Sequence, residues 1–208
     1  MTAYGLHQPR SRLLLIRHGQ AGDSRSKRYI GQTETSLTDL GRDQAKALGK
    51  WLADVPLERL VCSDLVRCRQ TAGIIAESVG LRPEPRADLR EIHLGDWEGR
   101  PFSQVMQEEP EAFRQRGEDL ANYRTPGGET FAELQARVVS ALKRILSQTT
   151  GNAAVVSHAG VNRTALCHWL GLPLERLFIL GQDSGGLSIL EFGSGSLSRV
   201  LALNMLPS

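Results

Sequence analysis

Leu13-Leu14-Leu15-Ile16 runs straight into Arg17-His18-Gly19, and that junction decides how the rest of the chain reads. Four consecutive apolar residues are too few for a buried helix. They suit a short strand covered on both faces, the kind found in parallel sheets. The pattern returns twice: Arg59-Leu60-Val61-Cys62 leads into Ser63-Asp64-Leu65-Val66-Arg67, and Ala153 to Ser157 leads into His158-Ala159-Gly160. Helical patterns lie between the strands. Thr38 is placed to cap a helix reaching about Ala53, with Leu40, Ala47, Leu48, Trp51 and Leu52 on its inner face. Ser63 is placed to cap a second, with Asp64 at its positive end. From Glu129 the steps Phe131, Leu134, Val138, Val139, Leu142, Ile145 and Leu146 predict a long amphipathic helix, and residues 161–170 predict another. Leu187 to Phe192 and Leu197 to Leu203, joined by Gly193-Ser194-Gly195-Ser196, predict a hairpin. Residues 81–100 read as irregular, and residues 101–118 as short polar helices in a surface insert. Strands alternating with helices predict an α/β fold, a three-layer α/β/α sandwich with a mostly parallel sheet and an antiparallel edge.

Composition bounds the class. At 208 residues, the chain suits one hydrophobic core, here over residues 12–208 after a loose tail at residues 1–11. Hydrophobic residues are 40% and charged residues 23%, which argues against disorder. Lys+Arg 25 against Asp+Glu 23 leaves a net +2, so a protein that coats nucleic acid or a membrane surface is disfavoured. Any anion recognition must then come from a few arginines gathered locally. Cys62, Cys68 and Cys167 have no metal-ligand spacing and read as buried thiols in a reducing compartment. The first 12 residues hold no apolar stretch of signal-peptide length, so a cytoplasmic location is expected.

Sites in open α/β sheets lie at the carboxyl ends of the strands. Those ends carry Arg17 and His18, then Arg67 one turn into a helix, then His158 at a strand-to-helix turn. Two arginines beside helix N-termini form a phosphate site, and an imidazole in the same place is a nucleophile toward phosphorus. Glu91, in the irregular segment, is a candidate proton carrier. Taken singly, each residue has a blander reading. A histidine after a strand is more often structural, Arg67 alone would be a helix surface charge, and Trp97 with Asp96 and Glu98 would anchor a turn. His168 reads as packing beside Trp169. The conjunction at three strand ends is what points to phosphoryl chemistry.

Leu15-Ile16-Arg17-His18-Gly19 resembles the signature of the histidine phosphatase superfamily, which includes the cofactor-dependent phosphoglycerate mutases. The similarity continues through Arg28-Tyr29-Ile30-Gly31 to Leu37-Thr38-Asp39-Leu40-Gly41, and resumes over Cys62 to Ala72. Leu89-Arg90-Glu91 through Gly99, Pro126 to Thr130 and Val156 to Val161 complete it, so that it covers about residues 12–203. The resemblance implies a phosphoglycerate mutase-like fold and roles for matching positions. His18 would accept the phosphoryl group, while Arg17, Arg67 and His158 hold its oxygens. Glu91 would give a proton to the leaving group and then take one from water. Ser24, Gly31 and Ala159 are expected against the substrate, a small phosphorylated metabolite. No metal and no cofactor are expected.

For this chemistry His18 must be neutral, with one ring nitrogen donating to a backbone carbonyl. His158 beside a phosphate dianion is expected to be cationic. Mutases in the family resemble one another in having Arg and Tyr soon after the glutamate. Ile92 and Leu94 stand there instead, which favours a phosphatase over a mutase. Non-catalytic relatives that only bind a phosphorylated partner generally lose a pocket residue, and all five are kept. The segments Gly95 to Gly99, Val105 to Glu109 and Gly171-Leu172-Pro173 most resemble the α-ribazole phosphatase branch, with broad-specificity phosphatases close behind. Two positions depart from the family: Gln20 stands where an acidic residue is usual, and Ser24 where Asn is usual. A homodimer is compatible with this reading.

Overall fold

The computed structural model describes residues 11–22, 27–193 and 196–207. Ser24 lies outside the described residues, as do residues 194–195 of the expected hairpin turn and all of the expected tail except Ser11. The described chain builds one six-stranded sheet in the order β3-β2-β4-β1-β5-β6. Strand β1 (Ser11–Arg17) pairs parallel with β4 (Asn152–Ser157), which pairs parallel with β2 (Leu57–Ser63). The three-residue β3 (Glu84–Arg86) extends the parallel part beyond β2. The hairpin of β5 (Leu187–Gly193) and β6 (Ser196–Met205) adds the antiparallel edge, with β5 against β1.

The two-faced burial expected of the short apolar runs is explicit. Leu13 and Leu15 join one core, and Leu14 and Ile16 the other, because successive side chains point to opposite faces. The first core is closed by α5 (Phe131–Ser147) and α6 (Ala159–Leu170), through Leu134, Val138, Leu142, Val161 and Ala165. The second is closed by α1 (Asp39–Leu52) and α2 (Val66–Val79), through Leu48, Leu52, Ala72 and Ile75. All four residues of the β1 run are at most 1% exposed. Each is worth about 1.5–3 kcal/mol of apolar burial, so the strand is anchored along its length. Register then sets the functional edge. Arg17 lies opposite Ser157, and Cys62 opposite Val156, so the carboxyl ends of β1, β4 and β2 finish together.

Local signals explain most of the boundaries. The Thr38 hydroxyl accepts from Gly41 N at 3.1 Å and starts α1. Thr130 and Glu133 form a reciprocal capping box at the start of α5, a device worth about 1 kcal/mol.

Several expectations need correcting. Leu40 is 53% exposed, because it sits in the first turn of α1 on the solvent side. Ser63 does not cap α2, whose N-cap is Leu65; Ser63 ends β2, and its hydroxyl is spent on His158. Asp64 holds Arg90 in a two-bond ion pair, with both distances 2.7 Å. Residues 81–100 are not wholly irregular, since they contain β3. His168 is exposed at the end of α6, with its ring 6.0 Å from that of Trp169. The insert forms α3 (Phe102–Glu108) and α4 (Pro110–Glu118), exposed as expected, yet it also walls the cavity described next. The three cysteines are buried and free, and no helix among the described residues is long and apolar enough to cross a membrane.

Candidate active site

The strand ends open into a cavity of about 510 Å³. Arg17, His18, Arg67 and Glu91 all line it, as do Gly31 and Ala159. His158 lies just behind, fully buried, with its ring centroid 5.2 Å from that of His18. The structure thus brings together every sequence-predicted site residue that it describes.

His18 follows the last residue of β1, and its backbone N–H donates to the Ser157 carbonyl at 3.0 Å. Its Nδ1 lies 2.7 Å from the Gly19 carbonyl oxygen. A carbonyl can only accept, so Nδ1 carries the proton and Nε2 keeps its lone pair. Burial, then Arg67 and Arg17, push the His18 pKa down to about 3, against a small opposing pull from the Gly19 carbonyl. Near neutral pH the ring is therefore neutral, with its lone pair on Nε2.

Arg67 enters from the first turn of α2, at the positive end of the helix. It is 2% exposed and fixed three ways: Nε donates to His158 Nδ1 at 3.2 Å, Nη2 to the Gly31 carbonyl at 2.7 Å and Nη1 to the Thr33 carbonyl at 2.9 Å. Gly31 is required by geometry. Its φ is +47°, and a Cβ there would sit 2.0 Å from Glu98 Oε1. Glu98 in turn accepts from the backbone N–H groups of Gln32, Thr33 and Leu94, stapling this loop to the segment that carries Glu91.

The protein's own groups hold His158 in its neutral form. Burial and then Arg67 lower its pKa well below the usual imidazole value, with His18, Arg17 and Arg137 adding to the effect. Because Arg67 Nε donates to Nδ1, the ring proton sits on Nε2, which donates to Ser63 Oγ at 2.9 Å. The groups that bear on it are positive or neutral, so nothing in this environment favours imidazolium. The site's positive charge comes from its arginines.

Arg17 closes β1 with its guanidinium in the cavity. Nη1 donates to the Gln182 carbonyl, while Nε is buried with no partner among the described residues. Burial lowers its pKa from the usual guanidinium value, with Glu91 and Asp183 opposing. A buried donor left without a partner is costly.

Glu91 is held without regular secondary structure. Its Oε1 accepts from Ile92 N at 3.0 Å, and its Oε2 from Gly160 N at 2.9 Å, in the first turn of α6. Its own carbonyl accepts from Arg137 and Gln32, both at 3.0 Å. A Cβ on Gly160 would meet Glu91 Oε1 at 2.3 Å, so a glycine there lets the carboxylate approach the helix start. Gln20, one of the two family departures, accepts from the Thr38 hydroxyl at 2.9 Å and so braces the start of α1.

Sequence reasoning missed the outer part of the cavity. Four of the chain's 5 phenylalanines (Phe102, Phe113, Phe131 and Phe178) line it with Tyr29. Arg116 lies over Tyr29 at 5.6 Å and Phe131 at 5.7 Å, and Arg163 over Phe178 at 5.4 Å. The scarcity of aromatics in the chain was the available signal, though it gave no way to tell that they converge. No three His, Cys, Asp or Glu side chains are grouped to hold a metal ion among the described residues.

Arginines and helix starts around a neutral imidazole form a phosphoryl-transfer site on an α/β sheet, and comparison with known proteins agrees. The chain belongs to the histidine phosphatase superfamily (branch 1), whose family model matches residues 13–205. It is 30% identical over 185 residues to the adenosylcobalamin/alpha-ribazole phosphatase of Salmonella typhimurium, covering 88% of this chain and 92% of that one. It is 33% identical over 178 residues to the glucosyl-3-phosphoglycerate phosphatase of Mycolicibacterium vanbaalenii, covering 82% and 79%. The crystal structure of a putative alpha-ribazole-5'-P phosphatase from Escherichia coli superposes with a TM-score of 0.86 at 30% identity, over 94% of this chain and 96% of that one. The fold is therefore phosphoglycerate mutase-like, and the relatives support phosphatase activity.

Proposed function

We propose that this chain is a metal-independent phosphomonoesterase that works through a phosphohistidine on His18. The observation that carries the reading is the state of His18: neutral, with Nδ1 spent on the Gly19 carbonyl, in a cavity lined by fixed guanidinium groups. His18 Nε2 attacks phosphorus, the N–P bond forms, and the ester P–O bond breaks. The leaving oxygen takes a proton from the Glu91 carboxyl group. Water then attacks the phosphohistidine and returns a proton to Glu91, and inorganic phosphate leaves as the N–P bond breaks. Arg17 and Arg67 hold the phosphoryl oxygens through both steps, and preorganised cations of this kind need no reorganisation as charge shifts. His158 braces Arg67 from behind, accepting from its Nε while its own N–H is donated to Ser63 Oγ. Residues 12–208 act as one domain, in the cytoplasm, where three buried free thiols are compatible with a reducing environment.

For the substrate we favour a small phosphorylated metabolite, with α-ribazole 5′-phosphate as the first candidate. An aromatic-walled cavity of about 510 Å³ suits a flat heteroaromatic base beside a sugar phosphate. Arg116 favours a second reading. It lines the same cavity and has no hydrogen-bond or ion-pair partner among the described residues, so it would suit a leaving group bearing a carboxylate. A panel of phosphate esters assayed with a chelator tests both. It should include α-ribazole 5′-phosphate, phosphoserine and 3-phosphoglycerate. Hydrolysis that persists in chelator supports the proposal. Loss of all activity on chelation, or conversion of 3-phosphoglycerate to 2-phosphoglycerate as the main product, overturns it.

A further inference from the structure

Behind the cavity a chain of buried polar side chains runs from the end of β4 to Arg17. Ser157 Oγ donates to Asn162 Oδ1 at 2.6 Å. Asn162 Nδ2 donates to Gln182 Oε1 at 3.0 Å, and Gln182 Nε2 donates back to the Gly181 carbonyl at 2.7 Å. The Gln182 carbonyl accepts from Arg17 Nη1. Ser157 and Asn162 are fully buried and Gln182 is 6% exposed. Polar groups this deep are costly unless each finds a partner, and the chain satisfies the side-chain atoms of Asn162 and Gln182 in order.

The placement of these residues links the site's two halves. Ser157 also supplies the carbonyl that takes the His18 N–H at 3.0 Å, and Asn162 stands one turn beyond His158 on α6. Gln182 belongs to the loop that wraps the end of β1: Arg17 N donates to the Gly186 carbonyl at 2.9 Å, and Gly185 N approaches the Arg17 and His18 carbonyls, both at 3.2 Å. Asn204, on β6, grips the loop from the other side, accepting from Asp183 N and donating to the Asp183 carboxylate, each at 2.7 Å. The loop is thus fastened at its backbone. Between these fastenings the Gln182 side chain is held by Asn162 and its carbonyl meets Arg17.

We propose that Ser157, Asn162 and Gln182 are positioning residues that aim the Arg17 guanidinium, through the Gln182 carbonyl, into the cavity that receives the phosphoryl group. The inference rests on the phosphatase reading only in taking hydrolysis as its readout. Ser157, Asn162 and Gln182 do not line the cavity. If the tether is cut, Arg17 keeps its charge but loses its orientation, and misplacement by about 1 Å is enough to cost on the order of 100-fold.

A double-mutant cycle on the full chain with p-nitrophenyl phosphate tests it. Gln182→Met keeps the volume and removes both polar contacts. In the chain with Arg17 it should lower kcat/KM by about 10- to 100-fold. In an Arg17→Lys background, where no fork remains to be aimed, the same substitution should cost less than about threefold, because coupled residues are not additive. Asn162→Ser should give the same pair of results, and it replaces Gln182→Met if that variant fails to fold. An equal loss in both backgrounds would show that the residues support the fold rather than Arg17, and would overturn the proposal. So would a folded Gln182→Met enzyme of undiminished kcat/KM. Absence of hydrolysis in the unmodified chain would instead defeat the phosphatase reading, and inorganic phosphate affinity then replaces kcat/KM in the same cycle.

Discussion

Replacing Arg67 by lysine keeps one positive charge and removes a fork, which makes it a sharp test of how the phosphate site is built. The guanidinium makes three bonds, to His158 Nδ1, the Gly31 carbonyl and the Thr33 carbonyl. An ammonium on a flexible stem can serve one such direction at a time. Two separate effects follow. If Arg67 meets a phosphoryl oxygen as its charge develops, losing that contact costs roughly 2.7–4 kcal/mol, or about 10²- to 10³-fold in kcat. The Gly31 bond is buried and charge-assisted, so its loss costs stability of about 1.5–3 kcal/mol with no discount for solvent, since Arg67 is 2% exposed. The Thr33 residue is exposed, and its carbonyl can turn to water. For a chain of this length the stability loss corresponds to a Tm lower by about 3–12 °C. The assay is kcat and KM with p-nitrophenyl phosphate at a temperature well below the new Tm, with the melt recorded in parallel. A folded Arg67→Lys enzyme within about tenfold of the unmodified kcat would refute the claim that the fork, rather than the charge, holds the phosphoryl group.

Glu91→Gln should lower kcat/KM, which reports phosphoryl transfer to the enzyme, by about 10²- to 10⁴-fold on alkyl phosphates and far less on p-nitrophenyl phosphate, whose leaving group needs no proton; equal losses on both would remove Glu91 as the proton donor to the leaving group. The His18 ring, followed by NMR of a labelled imidazole, should show no protonation from pH 8 down to about pH 4, because its pKa is pushed down to about 3. In the unfolded chain the same ring titrates near its ordinary 6.5, so the unfolded state binds more protons in between, and His18 should make stability fall as pH drops from about 6.5 towards 3. A titration midpoint near 6.5 in the folded enzyme would contradict the burial argument. Gly160→Ala should cut kcat while leaving the fold intact in circular dichroism, since the added methyl displaces the Glu91 carboxylate from 2.3 Å away; an unchanged kcat would mean that this carboxylate position is not the working one.

Much of this site was legible in the sequence because strand ends are legible. A short apolar run announces a strand, and whatever follows it in a parallel sheet lies on the functional edge. That logic located Arg17, His18, Arg67 and His158 from the residues alone, and the family resemblance supplied their roles. Glu91 was harder, since its placement depends on long-range contacts from Arg137, Gln32 and Gly160 rather than on a periodic pattern. Ser63 and Leu40 show the limit of local rules. A serine before a helix satisfies the capping pattern, yet here a buried imidazole competes for its hydroxyl and wins. A leucine in helical phase reads as core, yet the first turn of α1 faces solvent. The cation expected at His158 is tied to a bound phosphate dianion, while burial and Arg67, which only the folded chain shows, pull the ring the other way. Asn162 and Gln182 are polar residues of no special pattern, and only the folded chain shows that they meet.

The central claim is that His18 carries the phosphoryl group between ester and water. Rapid acid-free quenching of the enzyme during turnover of a radiolabelled phosphate ester tests it most directly. The account predicts a label that is acid-labile and base-stable, approaching one per chain, located at His18 and absent from His18→Ala, which should also lose hydrolysis. Full turnover by His18→Ala, or rapid hydrolysis in a burst-phase experiment with no labelled protein at any time, would contradict it.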